Sequence, residues 1–313
     1  MNSMNGYTDK QLKFINYLID QIGYNNSTLK QEYLNVLLRY CVDIKSTSNI
    51  IEDLLKEKEL LKKPKKKTRT YSHIAVTDIS DFVFCPASFA IKQTYILPKT
   101  EEMEEGEELH EKKFLEEFLK NVLRKRENEF DKSRQSDKER LIYRGSYGDL
   151  LKSKIIFEGH SKETEPFFSP QKNLAGVPDY IFQREDGSKF TVEEKHTWQE
   201  IINKPWESHI AQVLGYVYGL SDIGLTMGYL IYFSWSKDSI YRTQNTRLYP
   251  VHKNSSNKKF IIENFKKAES LKQTGEIGFD LSSLNAYKCF KCSSKIYCKH
   301  KSGRYKIIKI PYD

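Results

Sequence analysis

Two strand-like runs, Gly176 to Gln183 and Phe190 to His196, are joined across Glu185-Asp186-Gly187-Ser188, and this junction does most to restrict the fold. Apolar runs on either side of an Asp-Gly pair are the short-range signature of a β-hairpin. Acidic groups sit on both arms: Asp179 ends Gly176-Val-Pro-Asp179 on the first, and Glu193-Glu194 precede Lys195 on the second. Side chains alternate faces along a strand, so Glu193 and Lys195 project together while Glu194 points away. Which glutamate shares a face with Asp179 is then a matter of loop length. A two-residue Asp186-Gly187 turn pairs Asp179 with Glu194. A three- or five-residue loop with Gly187 left-handed in a bulge, or a bulge within one strand, shifts the parity and pairs it with Glu193.

The parity matters because Asp179, Glu193 and Lys195 form a D-x13-E-x-K pattern. Two carboxylates on one face bind hard divalent cations such as Mg2+ or Mn2+ through oxygen. Such a cation lowers the pKa of a bound water and offsets charge on a phosphodiester under attack, and Lys195 beside it can orient the water or stabilise the transition state. A polar hairpin with a solvated face would show the same short pattern. The chemistry requires Glu193 opposite Asp179, and the longer or bulged loop is therefore predicted.

Around the hairpin, strand-like runs recur at Lys154 to Phe157 and Met227 to Trp235, with an apolar-periodic helix from Trp206 to Leu220. This is an α/β order of elements. Gln212 and Tyr216 lie four apart on that helix and share a face, with His209 on nearly the same face. Residues 8 to 58 read as two or three amphipathic helices, with Thr8-Asp9-Lys10-Gln11 and Ser46-Thr47-Ser48 as capped starts. Thr77 can cap a helix toward Phe84, Cys85-Pro86 marks a break, and a helix resumes at Ala87. A carboxylate-rich segment should be helical from about Glu104, and the charged stretch from 121 to 148 reads as an exposed connection or insertion. The expected division is a helical module over 1–60, a basic linker over 61–70, a main domain over 71–302 and a basic tail over 303–313.

The longest apolar stretch, Leu225 to Trp235, is too short to span a bilayer, and the first residues lack a secretory signal, so no membrane role and a cytoplasmic location are expected. In that reducing setting five cysteines argue for ligation over disulfides. Cys85 stands alone, Cys289, Cys292 and Cys298 follow a C-x2-C-x5-C pattern, and four thiolates can hold zinc or an iron–sulfur cluster. Cys41, in the helical module, reads as an ordinary buried thiol. The formal charge of +9 is clustered at Lys62 to Arg69 and Lys288 to Lys309, which favours a polyanionic partner such as DNA.

Taken together these motifs resemble a known family. Gly176-Val-Pro-Asp179 and Thr191-Val-Glu193-Glu194-Lys195 resemble the second and third motifs of the PD-(D/E)XK nucleases. Gly106-x3-His110 resembles the first motif of their RecB-like branch, and Gln212-Val-Leu-Gly-Tyr216 its Q-x3-Y motif. The separated cysteines resemble those of the cluster-bearing members, and the lack of a Walker-type motif points to the stand-alone CRISPR-associated exonuclease family. The resemblance covers about Tyr71 to His300. It implies a restriction-endonuclease-like core, a mixed central sheet flanked by helices, with the N-terminal helical module as an addition. Catalytic roles for Asp179, Glu193, Lys195, Gln212 and Tyr216 are implied, with His110, Asp179, Glu193 and the Glu194 backbone carbonyl around Mn2+ or Mg2+. Cys85, Cys289, Cys292 and Cys298 would hold a 4Fe-4S cluster. The implied function is a DNA exonuclease acting on single-stranded or free ends, working with an integrase complex in CRISPR spacer acquisition. A repair, recombination or viral nuclease of the same fold, and a non-catalytic DNA-end-binding adaptor, are the alternatives. Alanine at 87, where a basic residue is common, and the added N-terminal module depart from the family form.

Overall fold

The computed structural model describes residues 7–24, 27–62, 67, 73–97, 115–120, 147–160, 164–197, 204–236, 239–278, 286–298 and 307–309. The helices are α1 (Asp9–Gln21), α2 (Ser27–Tyr40), α3 (Ile44–Lys62), α4 (Val76–Phe84), α5 (Pro86–Thr94), α6 (Glu207–Leu214), α7 (Ser255–Thr274) and α8 (Ala286–Lys291), with short helical stretches at 115–120 and 147–152. The strands are β1 (Ile74–Ala75), β2 (Lys154–Glu158), β3 (Phe167–Ser169), β4 (Leu174–Gly176), β5 (Tyr180–Gln183), β6 (Lys189–Thr197), β7 (Leu225–Ser236), β8 (Ser239–His252), β9 (Glu276–Gly278) and β10 (Ile307–Lys309). The architecture is mixed α/β with mixed sheets.

Two compact units emerge from the contacts. One comprises Met1–Tyr71, Cys85–Lys99 and Lys267–Asp313; the other comprises Ser72–Phe84 and Thr100–Lys266. The helical module, α5 and the cysteine-bearing segment thus fall in one unit, and the hairpin falls in the other. This cuts across a division drawn in sequence order at 60, 70 and 302. Within the expected 303–313 tail, β10 pairs antiparallel with β9.

In the first unit, α1 begins as its sequence predicts. Thr8 Oγ1 accepts from the Gln11 backbone amide at 3.2 Å while the Gln11 side chain accepts from the Thr8 amide at 2.8 Å, a reciprocal cap. α3 starts earlier than Ser46 because Asp43 is the better acceptor. Its Oδ1 takes the Ser46 amide at 2.6 Å, and Ser46 Oγ takes the Asp43 amide at 3.0 Å. Ile15, Leu18, Ile19, Tyr33, Leu37 and Leu54 form a core to which Ala286 and Cys289 also belong. Each large side chain buried there contributes about 1.5–3 kcal/mol. That shared core is why the cysteine segment groups with the helical module.

The second unit is built on a five-stranded sheet of order β2-β5-β6-β7-β8. Only β6 and β7 run parallel; the other neighbours are antiparallel. A parallel pair needs a crossover, and α6 lies in the segment between β6 and β7. One face of the sheet packs Ile181, Leu230 and Tyr232 under α4 and α6 through Val76, Ile79, Val213 and Tyr216. The other packs Tyr180, Phe182, Phe190, Val192 and Phe233 against Leu115, Leu119, Tyr147 and Leu150. β8 was not legible in the sequence as a strand, since Ser239–His252 is rich in polar residues, yet it pairs along most of β7. A second sheet, β1-β4-β3, adjoins the start of α4, which begins at Val76, so Thr77 lies inside the helix rather than capping it, and Asp78 Oδ2 reaches back to accept the Ala75 amide at 3.0 Å.

Candidate active site

The hairpin register decides which carboxylate faces which. β5 and β6 pair as Tyr180↔Val192, Ile181↔Thr191, Phe182↔Phe190 and Gln183↔Lys189. Beyond the ladder, the Arg184 amide donates to Ser188 O at 2.9 Å and the Gly187 amide to Arg184 O at 3.0 Å. Gly187 has φ of +82°, the left-handed region that glycine enters without a Cβ penalty. The connection is therefore a three-residue loop closed by a glycine bulge, as the parity argument requires. Asp186 Oδ1 accepts from the Ser188 amide and hydroxyl at 2.9 and 2.6 Å and holds the turn. One step outward from Tyr180↔Val192, the same register sets Asp179 opposite Glu193.

Around Glu193 the predicted side chains converge. Lys195 Nζ donates to Glu193 Oε1 at 2.7 Å, and Gln212 Nε2 donates a short bond to the same oxygen. Gln212 also donates to Tyr216 Oη at 3.2 Å, and the Tyr216 hydroxyl donates to Val177 O at 2.9 Å. Asp179 Oδ2 accepts the Glu194 amide at 2.7 Å. A hydrogen-bonded chain thus runs from the residue two before Asp179, through α6, to Glu193 and Lys195. Tyr216 sits in a single π-helical turn, Gly215–Gly219, that continues α6. Such turns concentrate at functional positions because the extra residue re-aims side chains. Gly176 makes the approach possible: a Cβ there would lie 2.7 Å from Val76 Cγ2 and 2.9 Å from Tyr216 Cε1.

Burial raises both carboxyls. Asp179 is pushed to about 6, first by burial, against the pull of Lys195 and the Glu194 amide. Glu193 is pushed to about 7 by burial and then by Asp179. Burial works against the Lys195 ammonium, yet Glu193 and Asp179 hold its pKa above the ordinary lysine value. Glu193 is 2 % exposed, and its Oε2 has no hydrogen-bond partner among the described residues. An orphaned acceptor beside a second, half-buried carboxyl is a donor set suited to a divalent cation, which would stabilise both in ionised form.

Glu194 turns to the opposite face, as strand alternation demands. Burial raises it to about 7, opposed by His160, the Tyr180 hydroxyl and the Leu115 amide. His196 Nε2 lies 2.8 Å from Glu194 Oε1, and burial followed by Lys195 pushes this imidazole down to about 3. The Glu194 side chain is thus separated from the Asp179 face, leaving only its backbone there. His110 and Gly106 lie outside the described residues. Among the described residues, no three or more His, Cys, Asp or Glu side chains gather closely enough to hold a metal ion. Asp179 and Glu193 come together as two.

His209 is the residue that sequence reasoning set aside. Its Nδ1 lies 2.7 Å from Tyr232 Oη, and β6–β7 pairing makes Tyr232 the direct neighbour of Lys195. Burial, then Lys195, pushes the imidazole down to about 3, so it is neutral at ordinary pH. The available signal was its spacing: three residues before Gln212, one turn along the same face.

The four cysteines of the expected cluster all lie in the other unit. Cys85 precedes α5 as its N-cap; Cys289 is on α8; Cys292 and Cys298 flank the 3-10 turn Ser293–Tyr297. All are free thiols. Burial raises Cys85, and Cys292 adds to the rise, which places these two within electrostatic reach. Cys292 Sγ donates to Ser88 Oγ at 3.6 Å, and Ser88 Oγ lies 2.9 Å from Ser294 Oγ. Thiolates are the donors such ligation uses, but among the described residues no three of these side chains gather closely enough to hold a metal ion. Cys41 is buried with its thiol on Leu37 O at 3.5 Å, an ordinary helical thiol.

No protein-family model matches this chain, and no curated protein matches it. Among solved structures, it is similar to the crystal structure of SSO0001, with a TM-score of 0.35 and 16% identity over 81% of this chain and 97% of that one. It is also similar to LHK-Exo in complex with dAMP, with a TM-score of 0.33 and 11% identity over 65% of this chain and 89% of that one. A second structure of LHK-Exo, an alkaline exonuclease from Laribacter hongkongensis, matches over the same shares with a TM-score of 0.30 and 8% identity. No described helix is long and apolar enough to cross a membrane.

Proposed function

We propose that the chain is a divalent-metal-dependent deoxyribonuclease with a PD-(D/E)XK core, acting on single-stranded or free DNA ends. The observation that carries the reading is the hairpin parity: a glycine-bulged loop sets Asp179 opposite Glu193 while Lys195 and Gln212 bind the Glu193 carboxyl. Asp179, Glu193 and the Glu194 carbonyl would hold Mn2+ or Mg2+ with His110. The cation supplies Lewis acidity and an acidified water.

The chain's own groups do the rest. Gln212 fixes the Glu193 carboxyl, and Tyr216 fixes Gln212 by linking it to Val177. Lys195, held cationic by its acidic neighbours, is a charge stabiliser and proton donor rather than a base. The lysines clustered at Lys62 to Arg69 and Lys288 to Lys309 would supply phosphate affinity. The finer role is processing DNA for CRISPR spacer acquisition in the cytoplasm alongside an integrase complex, with a 4Fe-4S cluster on Cys85, Cys289, Cys292 and Cys298. This extends the reading through the sequence resemblance.

Cleavage of end-labelled single-stranded DNA with Mn2+, compared with Lys195→Ala, is the test. Loss of about 100-fold or more in rate with DNA binding retained is expected. Equal cleavage by the variant would remove Lys195 from the chemistry, and no cleavage by either would favour the DNA-end-binding adaptor.

A further inference from the structure

α6 opens on a residue that neither caps it nor fills the core. Trp206 occupies the N-cap position without a side-chain cap bond, where Ser, Thr, Asp or Asn is favoured, and it stays 42% exposed. Its indole lies against His209, with centroids 5.0 Å apart and planes at 48°. His209 lies against Tyr232 at 5.6 Å and 32°, and Tyr232 meets Tyr249 edge-on at 5.8 Å and 85°. Three rings therefore run from an exposed indole to Tyr232, the strand neighbour of Lys195, and Tyr249 extends the row beyond it.

The row is held by specific bonds. The Trp206 amide donates to Tyr232 Oη at 3.3 Å, and the same hydroxyl contacts His209 Nδ1 at 2.7 Å. The Tyr232 oxygen accepts from Trp206 and shares its second bond with His209 Nδ1, whichever of the two carries the proton. Burial, then Lys195, keeps the His209 imidazole uncharged. The exposed indole offers a flat π-face to a ligand, backed by His209 and Tyr232.

We propose that Trp206, backed by His209 and Tyr232, is a stacking subsite for the unpaired nucleobase next to the scissile phosphate. It rests on the nuclease reading for the placement of that phosphate, and it deepens that reading by naming an unstacked base as what the site selects. A base inside a duplex has both faces covered by its neighbours and cannot use the indole. An unpaired terminal base can, and stacking on an aromatic side chain strengthens binding for any base identity.

The test uses full-length Lys195→Ala protein and single-stranded oligonucleotides carrying 2-aminopurine at the 5′ or the 3′ terminal position. Quenching at one terminus, lost when Trp206→Ala is added and restored by Trp206→Phe, supports the subsite. In the cleavage-competent background, Trp206→Ala should raise KM for single-stranded DNA about 10-fold while kcat falls by less. KM for blunt duplex should stay within about two-fold. Quenching that survives Trp206→Ala, or no quenching at either terminus, overturns the proposal. A wild-type protein that cuts nothing yet shows Trp206-dependent quenching would sink the nuclease reading and leave the subsite standing.

Discussion

Replacing Glu193 by Gln should stabilise the metal-free protein at alkaline pH. The wild-type carboxyl rises from 4.5 to about 7 on folding, chiefly through burial. A group whose pKa is raised in the folded state contributes stability that is complete below the unfolded value and is lost as pH climbs through the folded one. For Glu193 the loss falls between pH 4.5 and 7 and, at 1.4 kcal/mol per pH unit, amounts to about 3 kcal/mol. Asp179 adds a loss of the same sign between 3.8 and about 6. The amide of Glu193→Gln cannot ionise but keeps an oxygen for Lys195 and Gln212, so the variant's stability should lack the first component. Urea unfolding in EDTA at pH 4, 6 and 8 measures the gap between the two proteins. It should widen by about 3 kcal/mol from pH 4 to pH 8, and Mn2+ should narrow it at pH 8 by stabilising wild type alone. A gap constant across that range would refute the claim that Glu193 is a buried, metal-seeking carboxyl.

Gly187→Ala forces a side chain into a backbone at φ +82°, at a cost of about 1 kcal/mol by thermal unfolding, whereas deleting Gly187 should abolish cleavage with much of the fold retained. Cleavage rate at Mn2+ well below saturation should fall as pH drops from 7 toward 6, because protons compete with the cation for Asp179 and Glu193, and raising Mn2+ should restore it; a flat pH–rate profile at low Mn2+ would argue against them as ligands. Anaerobically purified protein should be brown and contain iron, and Cys292→Ser should lose both colour and iron; stoichiometric zinc instead would refute the cluster assignment. Deleting residues 1–69 should also lower iron content, since Ala286 and Cys289 share a core with α1 and α2, and unchanged iron would show that the cysteine segment stands without them.

The parts of this molecule legible in sequence were those governed by local chemistry. The Thr8 cap, the break at Cys85-Pro86 and the Gly187 bulge each follow from one residue's donors or allowed dihedrals. Gln212 and Tyr216 were readable as a pair because helix spacing fixes i and i+4 neighbours, and their bond survives the π turn. β8 was hidden because its partner, not its own composition, makes it a strand. The α3 start was misplaced by three residues because Asp43 and Ser46 cap reciprocally, and the Ser-Thr-Ser run lies beyond the stronger acceptor. His209 shares a face with Gln212 by spacing, but its surroundings are made by Tyr232 and Lys195, from strands that no spacing rule connects to α6. The grouping of the cysteines with α1 to α3 depends on burial between distant segments, which periodicity does not encode.

The clamp at the hairpin tip has a consequence for how this strand can vary. From Glu193 to His196, β6 carries ionisable groups on both faces, so hydrophobic alternation cannot tell one register from the next there. Alignment must be set at the other end. Arg184 grips Asp149 through two bonds of 2.7 and 2.6 Å, Tyr229 donates to the same carboxylate at 2.8 Å, and the Arg184 guanidinium lies 4.6 Å from the Phe190 ring centroid. Phe190 in turn stacks on Phe182 at 5.3 Å. Substitutions that loosen this tip therefore act like frameshifts in space. They can exchange Glu193 for Glu194 opposite Asp179 without touching either residue, so a chain that drifts at Arg184 or Asp149 would lose the proposed carboxylate pair while every motif stays intact.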